Sequence, residues 1–287
     1  MEREALRGCH FHKYSALGND YLVLDPHASA HALAPERIRA LCDRHRGIGA
    51  DGIVCGPEYD AAGQMRIRIF NPDGSEAEKS GNGIRIFARY AFEAGYVSRE
   101  PFTLITRGGA VAVRVLDADG ALIEVDMGKP SFYSADIPMT GPEREVVDEP
   151  LTVAGEQLRV TCVSMGNPHC VVFTGEVSAK RAQSLGPLLE TAPCFPQRAN
   201  VQLARVLSEL AISIEIWERG AGYTLASGSS ACAAASAARR LGLVGDSVEV
   251  WAPGGRLAVE FRPDGHAVLT GPVAGVAHGF FHADLSP

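Results

Sequence analysis

The chain has 287 residues, 46% hydrophobic and 21% charged, with a formal net charge of −7. That balance belongs to a folded globular protein with ample core and excludes a disordered chain. An acidic chain without a basic face is not expected to bind nucleic acid. The opening MEREALRGCHFHKY lacks the apolar run of a secretory leader, and no stretch approaches the roughly 18 apolar residues of a membrane helix. A cytoplasmic protein without a membrane partner is therefore expected. The seven cysteines form no CxxC pair, so reduced thiols are expected instead of a disulfide framework. Cys9, His10 and His12 are metal-ligating types, but they sit where a terminus is expected to fray, and no metal site is predicted.

In chain order, residues 21–24 (YLVL) form a short apolar run suited to a buried strand. PERIRALCDRHR then places Ile38, Leu41 and Cys42 at helical spacing. GIGADG at 47–52 fits G-x-G-x-x-G, but it follows a basic helix-like segment instead of a strand. A turn is predicted there, not a dinucleotide loop. RIRIF (66–70) alternates like a half-buried strand, and GIRIFARYAFEAG after Ser80 reads as a helix. VAVRVLDADGALIEVDMG predicts a hairpin turned at Asp119-Gly120.

The same kinds of element return. CVVF (170–173) predicts a strand, and SAKRAQSLGPLLE predicts a helix interrupted at Pro187. AISIEIW predicts an alternating strand, and SACAAASAARRLG a helix ending at a Gly242 cap. That helix has small residues nearly all round, so sheet is expected to enclose it. Two further hairpins are predicted, turned at Gly254-Gly255 and at Asp264-Gly265.

This return has a measure. Gly18-Asn19 recurs as Gly166-Asn167, an offset of 148 positions (18 to 166). IRIFN recurs as IEIWE at an offset of 147 (67 to 214), and Ser80-Gly81 recurs as Ser227-Gly228 at 147 (80 to 227). Three landmarks in one order predict two similar halves. The expected class is α+β, each half a mostly antiparallel sheet around or beside one long buried helix.

Serine is a favoured N-cap, so Ser80 or Ser227 alone reads as a cap. As a pair at matching places in a repeat they suggest more. A helix N-terminus with unpaired N–H groups suits a carboxylate. Two such termini facing a shared cleft would grip one substrate from both sides, which is the arrangement that inversion at a carbon requires. Asn19, Asn71, Asn82, Asn167 and Asn200 fall at element ends, as turn formers or as amides for an amino or carboxylate group. Glu218-Arg219 follows a strand and offers paired charges for a zwitterion, or a plain surface ion pair.

The segments FHKYSALGNDYLVLD, RHRGIGADGIV, NPDGSEAEKSGNGIRIFARY, VSMGNPHCVVF, RANVQ, ERGAGYTLASGSSACAAA and APGGRLAVEF together resemble the diaminopimelate epimerase family over almost the full chain. The resemblance implies two pseudo-symmetric halves, each a barrel-like sheet around a central helix. Residues 10–127 with 276–287 would form one half and 128–275 the other, with the active site in the cleft between them. It implies cofactor-independent interconversion of LL- and meso-diaminopimelate, a step in lysine and peptidoglycan synthesis, by a homodimer acting on a small amino acid. It also implies substrate contacts at Asn19, Asn71, Gly81, Asn82, Asn167, Asn200, Glu218, Arg219, Gly228 and Ser229. His169 matches an accessory histidine.

The departure is central. Where the family pattern has its two acid/base cysteines, this chain has Ser80 and Ser227. Cys232, five residues past Ser227, matches a structural cysteine of the motif. Lys79, Ile86 and Ser229-Ser230 also depart from the usual residues. A serine hydroxyl is a far weaker acid than a thiol and normally needs an adjacent base. The readings left open are a deliberate exchange of both cysteines that leaves an inert enzyme for trapping ligand, epimerisation of diaminopimelate through these serines, a re-specialised isomerase, and an amino-acid-binding relative without chemistry. For a re-specialised isomerase the candidate bases are Lys79, Glu76, Glu78, Asp73 and His169.

Overall fold

The computed structural model describes residues 10–27 and 33–282, so Cys9 lies outside the described residues. In chain order come strands Phe11–Ala16 (β1) and Asn19–Leu24 (β2), helix Pro35–Cys42 (α1), and strands Gly52–Tyr59 (β3), Met65–Phe70 (β4) and Glu76–Ala77 (β5). Helix Gly81–Glu93 (α2) follows, then Phe102–Thr106 (β6), Gly109–Val115 (β7) and Leu122–Asp126 (β8). The second series runs Glu149–Val153 (β9), Glu156–Ser164 (β10), Pro168–Phe173 (β11), helix Ala179–Glu190 (α3), Asn200–Ser208 (β12), Ala211–Glu218 (β13) and Gly222–Thr224 (β14). It ends with helix Gly228–Arg240 (α4), then Ser247–Ala252 (β15), Gly255–Phe261 (β16), Ala267–Pro272 (β17) and Ala274–Gly279 (β18).

The pairing rules repeat. β1–β2, β3–β4, β4–β5, β6–β7 and β7–β8 are antiparallel, while β2–β3 and β4–β6 are parallel. Shifting every strand number by nine reproduces this order: β11–β12 and β13–β15 are parallel and the other corresponding pairs antiparallel. The last strand of each series breaks sequence order. β9 pairs with β10, and β18 returns from the far end of the chain to pair with β1. The two units are accordingly Met1–Val125 with Gly271–Pro287, and Asp126–Thr270.

Strand alternation assigns each side chain to a face. Leu22 and Leu24 of β2, with Ile53 and Cys55 of β3, pack on Ile38 and Leu41 of α1. Cys170 and Val172 of β11, with Val201 and Leu203 of β12, pack likewise on Leu185 and Leu189 of α3. The intervening residues, Tyr21 and Val54 in the first unit and His169 and Gln202 in the second, therefore fall on the opposite face. There lie α2 and α4, each 13 residues long and mostly buried. Small side chains let strands approach α4 closely, as the alanine run predicts.

Both buried helices are closed alike at each end. Ser80 and Ser227 adopt extended backbone and accept from Gly83 N and Ser230 N. At the far ends Gly95 (φ 78°) and Gly242 (φ 71°) take the left-handed region. Gly95 N donates to Phe92 O and Tyr96 N to Ala91 O, and Gly242 N donates to Arg239 O and Leu243 N to Ala238 O. This pair of bonds is the Schellman closure, which a residue with a Cβ adopts only at a cost. Two helices with the same caps at the same offset are one supersecondary unit used twice.

Four local expectations change. The α1 helix stops at Cys42, because the Asp43 carboxylate accepts from His45 N and Arg46 N and turns the chain. Helix α3 runs through Pro187. Its preceding residue, Gly186, has no Cβ for the proline ring to strike. The β15–β16 turn is Pro253-Gly254, with Gly255 already paired to Ala252. His12 is buried in β1, which is paired on both sides, so it is not part of a frayed end.

Gly186 makes a testable point. A Cβ there would lie 2.5 Å from Trp217 Cγ and 2.6 Å from its Cβ, atoms near the backbone that cannot swing aside. Alanine favours a helix over glycine by about 1 kcal/mol, but overpacking costs about 1–3 kcal/mol. Gly186→Ala is therefore expected to lower the urea midpoint. A raised midpoint would show that the Trp217 contact yields.

Candidate active site

Each unit builds a polar cluster under the N-terminus of its buried helix. In the first, Ser80 Oγ accepts from Gly83 N at 3.1 Å and lies 3.4 Å from Tyr21 Oη. Asn82 Nδ2 donates to Asn19 Oδ1 at 2.9 Å, and Asn19 Nδ2 donates to Asp51 Oδ2 at 3.1 Å. The guanidinium of buried Arg85 donates to Asn82 Oδ1, Gly81 O and Pro272 O. Asp20 is clamped by Lys13 at 2.8 Å and Arg44 at 2.6 Å. Partial burial pushes its carboxyl up, but bonds from Arg44 and Lys13 outweigh this and hold it at about 2.

Asn71 sits in a turn: its Nδ2 donates to Ser75 Oγ, and Gly74 N donates to Asn71 O. Two candidate bases are engaged structurally. Hydrogen bonds from Ser75 lower Asp73, and a hydrogen bond from Arg68 lowers Glu76, so both are poor proton acceptors. Lys79 is half-buried on the strand of chain pinned by the bond from Gly108 N to Glu78 O.

In the second unit Ser227 is buried, and its Oγ lies 3.4 Å from both Ser230 N and Ser229 Oγ. Behind it a chain of side chains runs inward. Gln202 Nε2 donates to Ser230 Oγ at 3.0 Å and to His169 Nδ1 at 3.1 Å. Since His169 Nδ1 accepts, its Nε2 carries the hydrogen and donates to Asn167 Oδ1 at 2.9 Å. Full burial drives His169 down to about 3, with Arg219 adding to the effect against the bond from Gln202. The ring is a neutral relay and not a cation.

Asn200 is committed to backbone at both ends, donating to Pro168 O and accepting from Arg219 N. Buried Glu190 accepts from Trp217 Nε1 and Gly220 N, and so fixes the Glu218-Arg219 corner between them. Glu218 accepts from Thr224 Oγ1, and the Arg219 guanidinium donates to Gln197 O.

The sequence signals had missed Tyr21, Gln202, Asp51, Arg85 and Glu190. The repeat contains a clue to two of them. Tyr21 and His169 are 148 positions apart, the Gly-Asn offset, and Val54 and Gln202 are too. Strand pairing agrees, with Tyr21 opposite Gly52 in β2–β3 and His169 opposite Asn200 in β11–β12. One position therefore carries a phenol in one unit and an imidazole in the other.

GIGADG is packed as a turn. The N–H groups of Ile48 and Gly49 donate to Leu41 O, and that of Ala50 to Cys42 O, so none is left to cradle a phosphate. A Cβ at Gly47 would fall 2.0 Å from Ala40 O. Burial pushes Cys42 and Cys55 up to about 12, and Cys232 is enclosed within α4. Among the described residues no helix is long and apolar enough to cross a membrane, and no group of three or more ligating side chains suits a metal.

Solved structures share this fold. A hydroxyproline epimerase from Agrobacterium vitis, with trans-4-hydroxy-L-proline bound, superposes with a TM-score of 0.68 at 14% identity over 93% of this chain and 90% of that one. A probable proline racemase from Agrobacterium radiobacter gives 0.69 at 16% identity over 96% and 93%. The architecture is thus one used by amino-acid epimerases and racemases.

Sequence relatives narrow the class. The diaminopimelate epimerase family profile matches residues 11–133 and 161–276. Diaminopimelate epimerase 2 of Nostoc sp. is 48% identical over 96% of each chain. The diaminopimelate epimerase of Moorella thermoacetica is 42% identical over 96% of this chain and all of its own. The chain belongs to the diaminopimelate epimerase family.

Proposed function

We propose that the protein epimerises diaminopimelate by cofactor-independent proton transfer at the α-carbon, with Ser80 and Ser227 as the groups nearest the reacting bond. The observation that carries this is the duplicated helix N-terminus, capped by Ser80 in one unit and by Ser227 in the other. One serine removes the α-proton while the other returns one to the opposite face, which inverts the centre. The helix termini at Gly81 and Gly228, with Ser229, hold the substrate carboxylate. Asn19, Asn71, Asn82, Asn167, Asn200, Glu218 and Arg219 hold its charged groups. His169 and Lys79 act as accessory residues. We place the protein in the cytoplasm as a homodimer, after its family.

Purified protein incubated in deuterated water with LL- or meso-diaminopimelate is expected to gain α-deuterium and to interconvert the two. Deuterium exchange confined to another amino acid would point to a re-specialised isomerase. Calorimetric binding with no exchange from any amino acid would leave a binding protein.

A further inference from the structure

We infer that Tyr21 is the proton partner of Ser80, so that the first unit transfers protons through a phenol–hydroxyl pair and not through serine alone. This rests on the epimerase reading above. Tyr21 is buried, and its Oη lies 3.4 Å from Ser80 Oγ. That is longer than an optimal O–H···O contact, as is usual for acid–base pairs before a ligand closes on them.

The backbone is built to admit this ring. Gly52 faces Tyr21 across the parallel β2–β3 pair, and a Cβ there would lie 2.4 Å from Tyr21 Cε1 and 2.9 Å from Cζ. Glycine at 52 clears the space through which the phenol reaches the helix terminus. The corresponding position in the second unit is Asn200, and the residue opposite it is His169. His169 is 148 positions from Tyr21 and reaches its own helix terminus indirectly, through Gln202 and Ser230. Both units thus set a titratable ring under the cap serine, but only the first sets it against the cap oxygen itself.

The step balances without a co-reactant. As the substrate Cα–H bond breaks, its proton forms a new O–H bond on Ser80 Oγ, whose former proton passes to the Tyr21 phenolate. The electron pair stays on the substrate carbon. In the opposite direction the phenol re-protonates Ser80 Oγ as Ser80 protonates the carbanion, and Tyr21 is left as phenolate for the next turnover. A phenol ionises far more readily than an alkyl alcohol and so supplies the nearby base that serine needs. Tyr21 acts through Ser80 and is a positioning and relay residue.

The test is Tyr21→Phe, which keeps the ring over Gly52 and deletes only the hydroxyl. In a two-base enzyme each unit removes the proton of one epimer. Tyr21→Phe is expected to cut α-deuterium wash-in from one epimer by about 100-fold and to leave wash-in from the other within a few-fold. The retained exchange also reports that the variant is folded. For the affected epimer the wild-type rate should climb with pH, and Tyr21→Phe should flatten that climb. Adding Ser80→Cys to Tyr21→Phe should restore exchange, because a thiolate takes the proton unaided. Equal loss from both epimers, or no loss from either, overturns the inference while wild-type exchange still upholds the function. Wild-type protein inert towards both epimers overturns the two together.

Discussion

Replacing both cap serines, Ser80→Cys with Ser227→Cys, is expected to raise diaminopimelate epimerisation by about 100-fold to 10,000-fold, the range that an effective general acid–base pair contributes. A free thiol ionises near pH ~8.5, and a helix N-terminus draws it lower. Both positions are such termini, at Gly81 and at Gly228. The exchange of oxygen for sulfur has a structural cost. Each serine accepts from a backbone N–H in the first turn of its helix, and loss of a good N-cap costs about 1 kcal/mol. The double variant should therefore be faster and less stable, a combination that nonspecific repair of the fold does not produce. Rates of LL-to-meso conversion, read by chiral separation beside urea midpoints, check both halves. An unchanged rate in a folded double variant would mean that the pocket no longer presents this substrate's α-carbon to positions 80 and 227.

The second large effect concerns acid. His169 is neutral when folded, because burial holds its imidazole down to about 3 from an ordinary 6.5. Below about pH 6.5 the unfolded chain takes up a proton at this residue that the folded chain does not. Stability from this group is full above that pH and is lost as pH falls through the window towards 3, by up to ~1.4 kcal/mol per pH unit. Between pH 6.5 and 4.5 the expected loss is about 2–3 kcal/mol. Asp20 has a separate window: its carboxyl, lowered to about 2 from 3.8, withholds its contribution only as pH drops below about 4. Urea unfolding at pH 7, 5.5 and 4.5 isolates the histidine. His169→Gln, which can still bond to Asn167 and Gln202, should show a markedly shallower loss over that range. Parallel losses in the two proteins would mean that His169 is protonated in the folded state.

The difference between the two serines follows from what lies behind them. Ser80 has a phenol at its oxygen, while Ser227 has Ser229 beside it and a relay from Asn167 through His169 and Gln202 to Ser230. Gln202 Oε1 is buried and without a hydrogen-bond partner. An unpaired buried acceptor costs about 1–3 kcal/mol, and such a cost is commonly borne at functional sites. A neutral relay that ends at the first turn of α4 orients Ser230, whose N–H bonds to Ser227 Oγ, without placing a charge near it.

Much of this was legible in the residues themselves. Alternation in RIRIF and AISIEIW, the apolar runs at 21–24 and 170–173, the Ser caps of α2 and α4 and the Gly242 cap of α4 are local signals, set by backbone sterics and burial periodicity. The 147–148 offset linked them into two series because a shared supersecondary unit keeps its spacing even where side chains diverge. The motifs carried the family. All of that is decided along the chain.

Contacts between distant segments were not legible. Tyr21 lies 59 positions from Ser80 and read only as part of an apolar strand. Its hydroxyl acquired a partner because β2 lies beside β3 at Gly52, where a missing side chain lets the ring through to α2. His169 and Gln202, separated by 33 positions, meet because β11 and β12 run parallel in a register that no local pattern specifies. The return of β18 to β1 likewise depends on which edge is open after folding. The elements, the repeat and the family were thus readable along the chain. The tertiary structure alone decided what stands against each serine, because hydrogen bonding between remote residues depends on strand register and helix placement, which local propensity does not encode.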